Sequence, residues 1–89
     1  MLERQITISN KLGLHARASA KLVQTLHGFQ SCVFLVHRGK EGYAKSIMGV
    51  MMLAAGLGSV LTLRADGADE ESALQALVEL FERKFDEGE

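Results

Sequence analysis

Between Val60 and Ala65 the side chains alternate between two faces of an extended chain. Val60, Thr62 and Arg64 fall on one, Leu61, Leu63 and Ala65 on the other. Successive strand side chains point to opposite sides, so this pattern describes a strand whose second face is fully apolar and whose first is mixed. A sheet built of such strands needs cover on one side. Two helical segments carry the matching half of that requirement. Leu22, Val23 and Leu26, with Ser19 one turn earlier, make one stripe, and Leu74, Leu77, Val78, Phe81 and Phe85 make another. Helices able to cover a single face of one strand layer give an α+β, two-layer sandwich.

The remaining segments fit that frame. Residues 2–9 read as a first strand, with Ile6 and Ile8 on one face and Gln5 and Thr7 on the other. Asn10 to Leu14 form a polar, glycine-bearing loop, and a helix follows from His15 or Ala16 to about His27. Gly28 stands where a left-handed glycine cap is expected, with His27 as a cation-capable residue at the helix end. Cys32 to His37 is an almost wholly apolar second strand, and Arg38-Gly39 a tight turn into a third, Lys40 to Ala44. Cys32 is expected to be a buried or half-buried hydrophobe and His37, at a hairpin end, to be solvated. Ser46 precedes a short helical run, and Ala54 to Ser59 is a small-residue turn without the Gly-Lys-Ser/Thr ending of a nucleotide-binding loop. Asp66-Gly67 is the turn out of the fourth strand. Asp69 is expected to cap the last helix, with Glu70 and Glu71 complementing its dipole. The clusters Asp69-Glu70-Glu71 and Asp86-Glu87-Glu89 read as solvated faces or frayed ends. The order is strand, helix, strand, strand, helix, strand, helix.

Composition narrows the function. Eighty-nine residues make one domain, 1–89. A formal net charge of −1 gives no bulk attraction to nucleic acid or membrane. One cysteine excludes an internal disulfide and suits a reducing compartment. The chain opens Met-Leu-Glu-Arg-Gln without an apolar run of secretory or spanning length, so a cytoplasmic location is expected. His15, His27 and His37 lack ligand spacing, and no metal or cofactor is expected.

The stretch Gly13-Leu14-His15-Ala16-Arg17-Ala18-Ser19-Ala20 places a histidine where a loop becomes a helix. Backbone N–H groups there, near Ala16 and Arg17, lack intrahelical partners and favour anions such as phosphate. A neutral imidazole is a nucleophile available near neutral pH, and Arg17 adds a donor fork suited to phosphate oxygens. On local chemistry alone, His15 as a simple helix cap and Arg17 as a surface charge remain open. Ser46 is an N-cap candidate, and a phosphate on it would meet the positive end of its short helix. A helix of about two turns cannot bury every side. Val50 and Leu53 are therefore expected to face inward, and Ile47, Met48 and Met51 to form an exposed patch, while Met51, Met52 and Leu53 as plain core is the competing expectation.

Asn10-Lys11-Leu12-Gly13-Leu14-His15-Ala16-Arg17 resembles the active-site signature of the histidine-containing phosphocarrier (HPr) family of the bacterial sugar phosphotransferase system. Lys45-Ser46-Ile47-Met48-Gly49-Val50 resembles that family's second signature, around a regulatory serine. The resemblance spans nearly the whole chain. It implies an open-faced sandwich, βαββαβα, with a four-stranded antiparallel sheet in order 1-4-2-3 and three helices on one face. It implies that His15 accepts a phosphoryl group on Nδ1 from enzyme I and passes it to an enzyme IIA, with Arg17 stabilising the phosphate. It also implies that Ser46 is the target of an ATP-dependent kinase and its phosphorylase. Arg17, Ser19, Ala20, Ile47, Met48 and Met51 are the expected partner contacts, and a monomer that is a carrier and not itself an enzyme is the expected form. Many members have proline where Ala18 stands, which bears on partner choice more than on phosphoryl chemistry. A nitrogen-regulatory sister branch is one alternative. A regulatory binding module without transfer chemistry is another, and His15 and Arg17 count against it.

Overall fold

The computed structural model describes residues 1–87. Four strands, β1 (Leu2–Thr7), β2 (Cys32–His37), β3 (Lys40–Tyr43) and β4 (Val60–Asp66), form one antiparallel sheet in the order β1-β4-β2-β3. The helices are α1 (Ala16–Leu26), α2 (Ile47–Met51) and α3 (Glu70–Glu82), followed by a short 3₁₀ turn, Lys84–Asp86. Leu61, Leu63 and Ala65 of β4 and Val33 and Leu35 of β2 meet Leu22 and Leu26 of α1 and Leu74, Leu77 and Phe81 of α3 in one core. The other sheet face is open. There Arg64 bridges Glu3 at 2.7 Å and Glu41 at 3.3 Å, and Phe34 lies against Tyr43.

Register decides what the apolar run of β2 left undetermined. Cys32 pairs with Asp66 and Phe34 with Arg64, which turns residues 32, 34 and 36 toward the open face. Cys32 is therefore exposed, contrary to expectation. His37 has the opposite parity and is buried, its Nδ1 3.1 Å from the carbonyl of Leu53. The expected solvated histidine instead ties β2 to the segment after α2.

Helix ends also differ from expectation. Gly28 takes no left-handed conformation; α1 tightens instead, with His27 N–H donating to Gln24 O and Phe29 N–H to Leu26 O. Phe29 packs against the core and so sets the direction in which the chain leaves. Asp69 begins α3 but makes no side-chain cap. Its carboxylate accepts from the N–H groups of Gln30 at 2.8 Å and Ser31 at 2.9 Å and from the Ser31 hydroxyl at 2.5 Å, holding the α1–β2 connection. Phe85 is core, edge-to-face on Phe81 at 4.9 Å, but lies beyond the end of α3. Glu89 lies outside the described residues.

Candidate functional site

The loop before α1 is pinned from both sides. Gly13 has a φ of +64°, and a Cβ there would lie 2.5 Å from the Ala55 carbonyl oxygen, so only glycine fits. The next N–H, of Leu14, donates to that same oxygen at 3.0 Å. Asn10 is fully buried and donates from Nδ2 to Gly13 O at 2.9 Å. On the helix side, the buried Ser19 hydroxyl donates to Leu14 O at 3.1 Å.

This frame delivers His15 as the N-cap of α1, in extended backbone (φ −73°, ψ 177°) and with its carbonyl accepting from Ser19 N–H. Its ring makes no capping bond to the helix. Among the described residues the N–H groups of Ala16, Arg17 and Ala18 have no acceptor, so α1 presents free donors and the positive end of its dipole beside the imidazole. Arg17 is exposed in the first turn. Its charge reaches the site, acting on a carboxylate that the sequence did not suggest.

That carboxylate is Glu87. Its Oε2 lies 2.5 Å from His15 Nε2, and its Oε1 accepts from Asn10 Nδ2 at 3.1 Å. The chain reaches this place through Lys84, Phe85 and Asp86, all with left-handed φ (54°, 54° and 60°). A non-glycine residue in that region costs roughly 1–2 kcal/mol, so core burial of Phe85 must hold the turn. Lys21 of α1 adds a clamp, its Nζ donating to Phe85 O at 3.0 Å. Burial pushes the Glu87 carboxyl up, but hydrogen bonds from His15 and Asn10 and the charges of His15 and Arg17 outweigh it. The group stays below its ordinary value. The expectation that Asp86 and Glu87 form only a solvated end is therefore wrong for Glu87. No sequence signal marks it, because none of the three left-handed residues is a glycine.

Ser46 is the N-cap of α2, its Oγ accepting from Gly49 N–H at 3.1 Å. Val50 and Leu53 are buried; Ile47, Met48 and Met51 are exposed, and so is Met52, so the competing expectation of core fails for both methionines and holds for Leu53 alone. Gly13 touching Ala55 and Gly56 brings the His15 loop against the segment after α2. Leu12 and Leu57, next in sequence to the residues of that contact, are exposed as well. Ser19 does not belong to this surface. It faces the core, with its hydroxyl engaged in the loop, and Ala20 is half-buried.

Residues 2–83 match the family model described as PTS HPr component phosphorylation site. The chain is 61% identical over 87 residues to phosphocarrier protein HPr of Xylella fastidiosa (strain Temecula1), covering 98% of each chain. It is 45% identical over 86 residues to phosphocarrier protein NPr of Shewanella violacea, covering 97% of this chain and 94% of that one. The crystal structure of HPr-C-His from Thermoanaerobacter tengcongensis superposes with a TM-score of 0.94 at 49% identity, over 98% of both chains.

Proposed function

The chain belongs to the HPr family of phosphocarrier proteins, and from that premise we propose that it relays a phosphoryl group from phospho-enzyme I to an enzyme IIA. Phosphoenolpyruvate is the ultimate donor and His15 Nδ1 the point of attachment. The observation that carries this reading is the His15 ring itself. It keeps 27% of its side-chain surface in solvent, makes no cap, and stands beside three helix N–H groups that have no acceptor among the described residues. Phosphoryl transfer passes through a loose transition state with charge spread over the equatorial oxygens, which alignment and fixed donors stabilise best. The N–H groups of Ala16 and Arg17 supply fixed donors, and the Arg17 guanidinium supplies a mobile one.

Docking falls to Arg17 and Ala20 with Ile47, Met48 and Met51, enlarged by Leu12, Met52 and Leu57. Exposed methionines suit a surface that must fit enzyme I and enzyme IIA in turn. Ser46 is the regulatory position, where an ATP-dependent kinase and a phosphorylase add and remove charge beside that surface. The protein acts as a single cytoplasmic domain, residues 1–89, carrying the group without catalysing its own turnover. Among the described residues no helix is long and apolar enough to cross a membrane. Higher identity to phosphocarrier HPr than to phosphocarrier NPr favours the sugar branch over the nitrogen branch.

Incubation with phosphoenolpyruvate and enzyme I, followed by intact mass, tests the relay. The expected result is an acid-labile gain of one phosphate that His15→Ala abolishes. A gain that survives this substitution, or no gain at all, overturns the reading.

A further inference from the structure

We propose that Glu87 is a positioning residue for this transfer: its side chain holds the His15 ring in the tautomer that leaves Nδ1 as the nucleophile. The inference rests on the relay reading and adds a residue to it. An ionised carboxylate oxygen can only accept hydrogen bonds, so an imidazole nitrogen 2.5 Å from Glu87 Oε2 must be the one that carries hydrogen. A neutral imidazole has a single N–H. Seating it on Nε2 leaves the lone pair on Nδ1, which has no hydrogen-bond partner among the described residues.

Three observations indicate that Glu87 is seated there and does not merely rest against the ring. Both of its oxygens are engaged, one by His15 and one by Asn10. Asn10 is fully buried and donates to Glu87 while its own Oδ1 has no partner among the described residues, an unfavourable state for a buried amide. The backbone reaches the site through three left-handed residues anchored by the buried Phe85 ring and by Lys21.

The chemistry follows from this placement. The Nδ1 lone pair forms an N–P bond as the N–P bond of the donor's phosphohistidine breaks, its electron pair returning to the donor's nitrogen. The Nε2 hydrogen stays between ring and carboxylate throughout. Positive charge that develops on the His15 ring therefore faces a fixed anion, as in other carboxylate–histidine pairs. In onward transfer the same bond breaks in reverse, and the pair returns to Nδ1. No proton has to be moved at the carrier in either direction.

The tautomer can be read without any phosphoryl donor, by two-bond ¹H–¹⁵N correlation spectra of the labelled full chain at alkaline pH. The wild type is expected to be dominated by the Nε2–H form. Glu87→Ala should raise the ratio of Nδ1–H to Nε2–H about tenfold, as for loss of one charge-assisted hydrogen bond, and Glu87→Gln should fall between. Chemical phosphorylation with phosphoramidate gives a second readout. The wild type should take the group on Nδ1, and Glu87→Ala should divide it between Nδ1 and Nε2. If Glu87→Ala loses its native far-UV spectrum, the shape-conserving Glu87→Gln carries both tests. An unchanged tautomer ratio or unchanged attachment site in a folded variant overturns the proposal. Failure of the wild type to accept phosphate from enzyme I would instead reject the relay and leave the tautomer result standing.

Discussion

Helices α1 and α2 both start from a polar residue in extended backbone, yet the two residues do opposite things with their side chains. Ser46 turns inward and caps its own helix through Gly49 N–H. His15 turns outward, leaves the helix donors open and meets Glu87 instead. A capping side chain is engaged in holding its helix together, and its chemistry is structural until it is modified. An uncapped helix start keeps its donors for something that is not part of the chain. Gly13 lies against Ala55 and Gly56 just after α2, and α1 packs against α2, so a charge added at Ser46 is expected to be felt at His15.

The largest expected effect comes from breaking that contact. Gly13→Val adds a side chain at a φ of +64° and drives a Cβ to within 2.5 Å of Ala55 O. A destabilisation of about 2–4 kcal/mol is expected from the backbone conflict and the clash together, measurable by urea unfolding. Transfer to His15 should fall with it, because the same glycine sets the loop; a variant of wild-type stability would show that the loop is not pinned there. Ser46 gives the next effect and separates its two roles. Aspartate caps a helix about as well as serine, so Ser46→Asp should keep the fold while its charge slows phosphorylation of His15 by enzyme I roughly tenfold. Ser46→Ala should do the reverse, losing about 1 kcal/mol of stability with little change in that rate. Equal rates for Ser46→Asp and wild type would mean that the two helix starts are not electrostatically joined.

The reach of sequence reasoning differs between these regions for physical reasons. The β4 faces and the α1 stripe were legible because burial there follows the local period, two for a strand and near four for a helix. The Ser46 cap was legible because capping chemistry is local. Cys32 and His37 were misplaced because β2 is apolar throughout, and its parity comes only from pairing with β4, far away in the chain. The strand order is non-local in the same way, and it entered through resemblance to a family. Glu87 was missed because its place at His15 depends on a left-handed turn of non-glycine residues, stabilised by a core phenylalanine and a lysine from another helix. Half of the candidate site was therefore readable as a motif, while its carboxylate depends on tertiary packing.

The smallest expected effect lies at the far end of α1, where Asp69 holds the connection to β2. The Ser31 hydroxyl first, then the Gln30 N–H, keeps its carboxyl below the ordinary aspartate value, burial opposing them. A carboxyl whose pKa is lower in the folded than in the unfolded chain stabilises the fold fully above the unfolded value. That contribution is lost as pH falls through the folded one. Asp69→Asn should therefore lower Tm at neutral pH, with the gap to wild type closing as the solution is acidified below about pH 4. Because the residue sits at the opposite end of α1 from His15, the phosphorylation rate should not change. A Tm gap that persists unchanged into acid would show that the carboxylate charge is not what holds Gln30 and Ser31. A slowed transfer with an intact fold would break the division between the proposed phosphoryl end of α1 and its structural end.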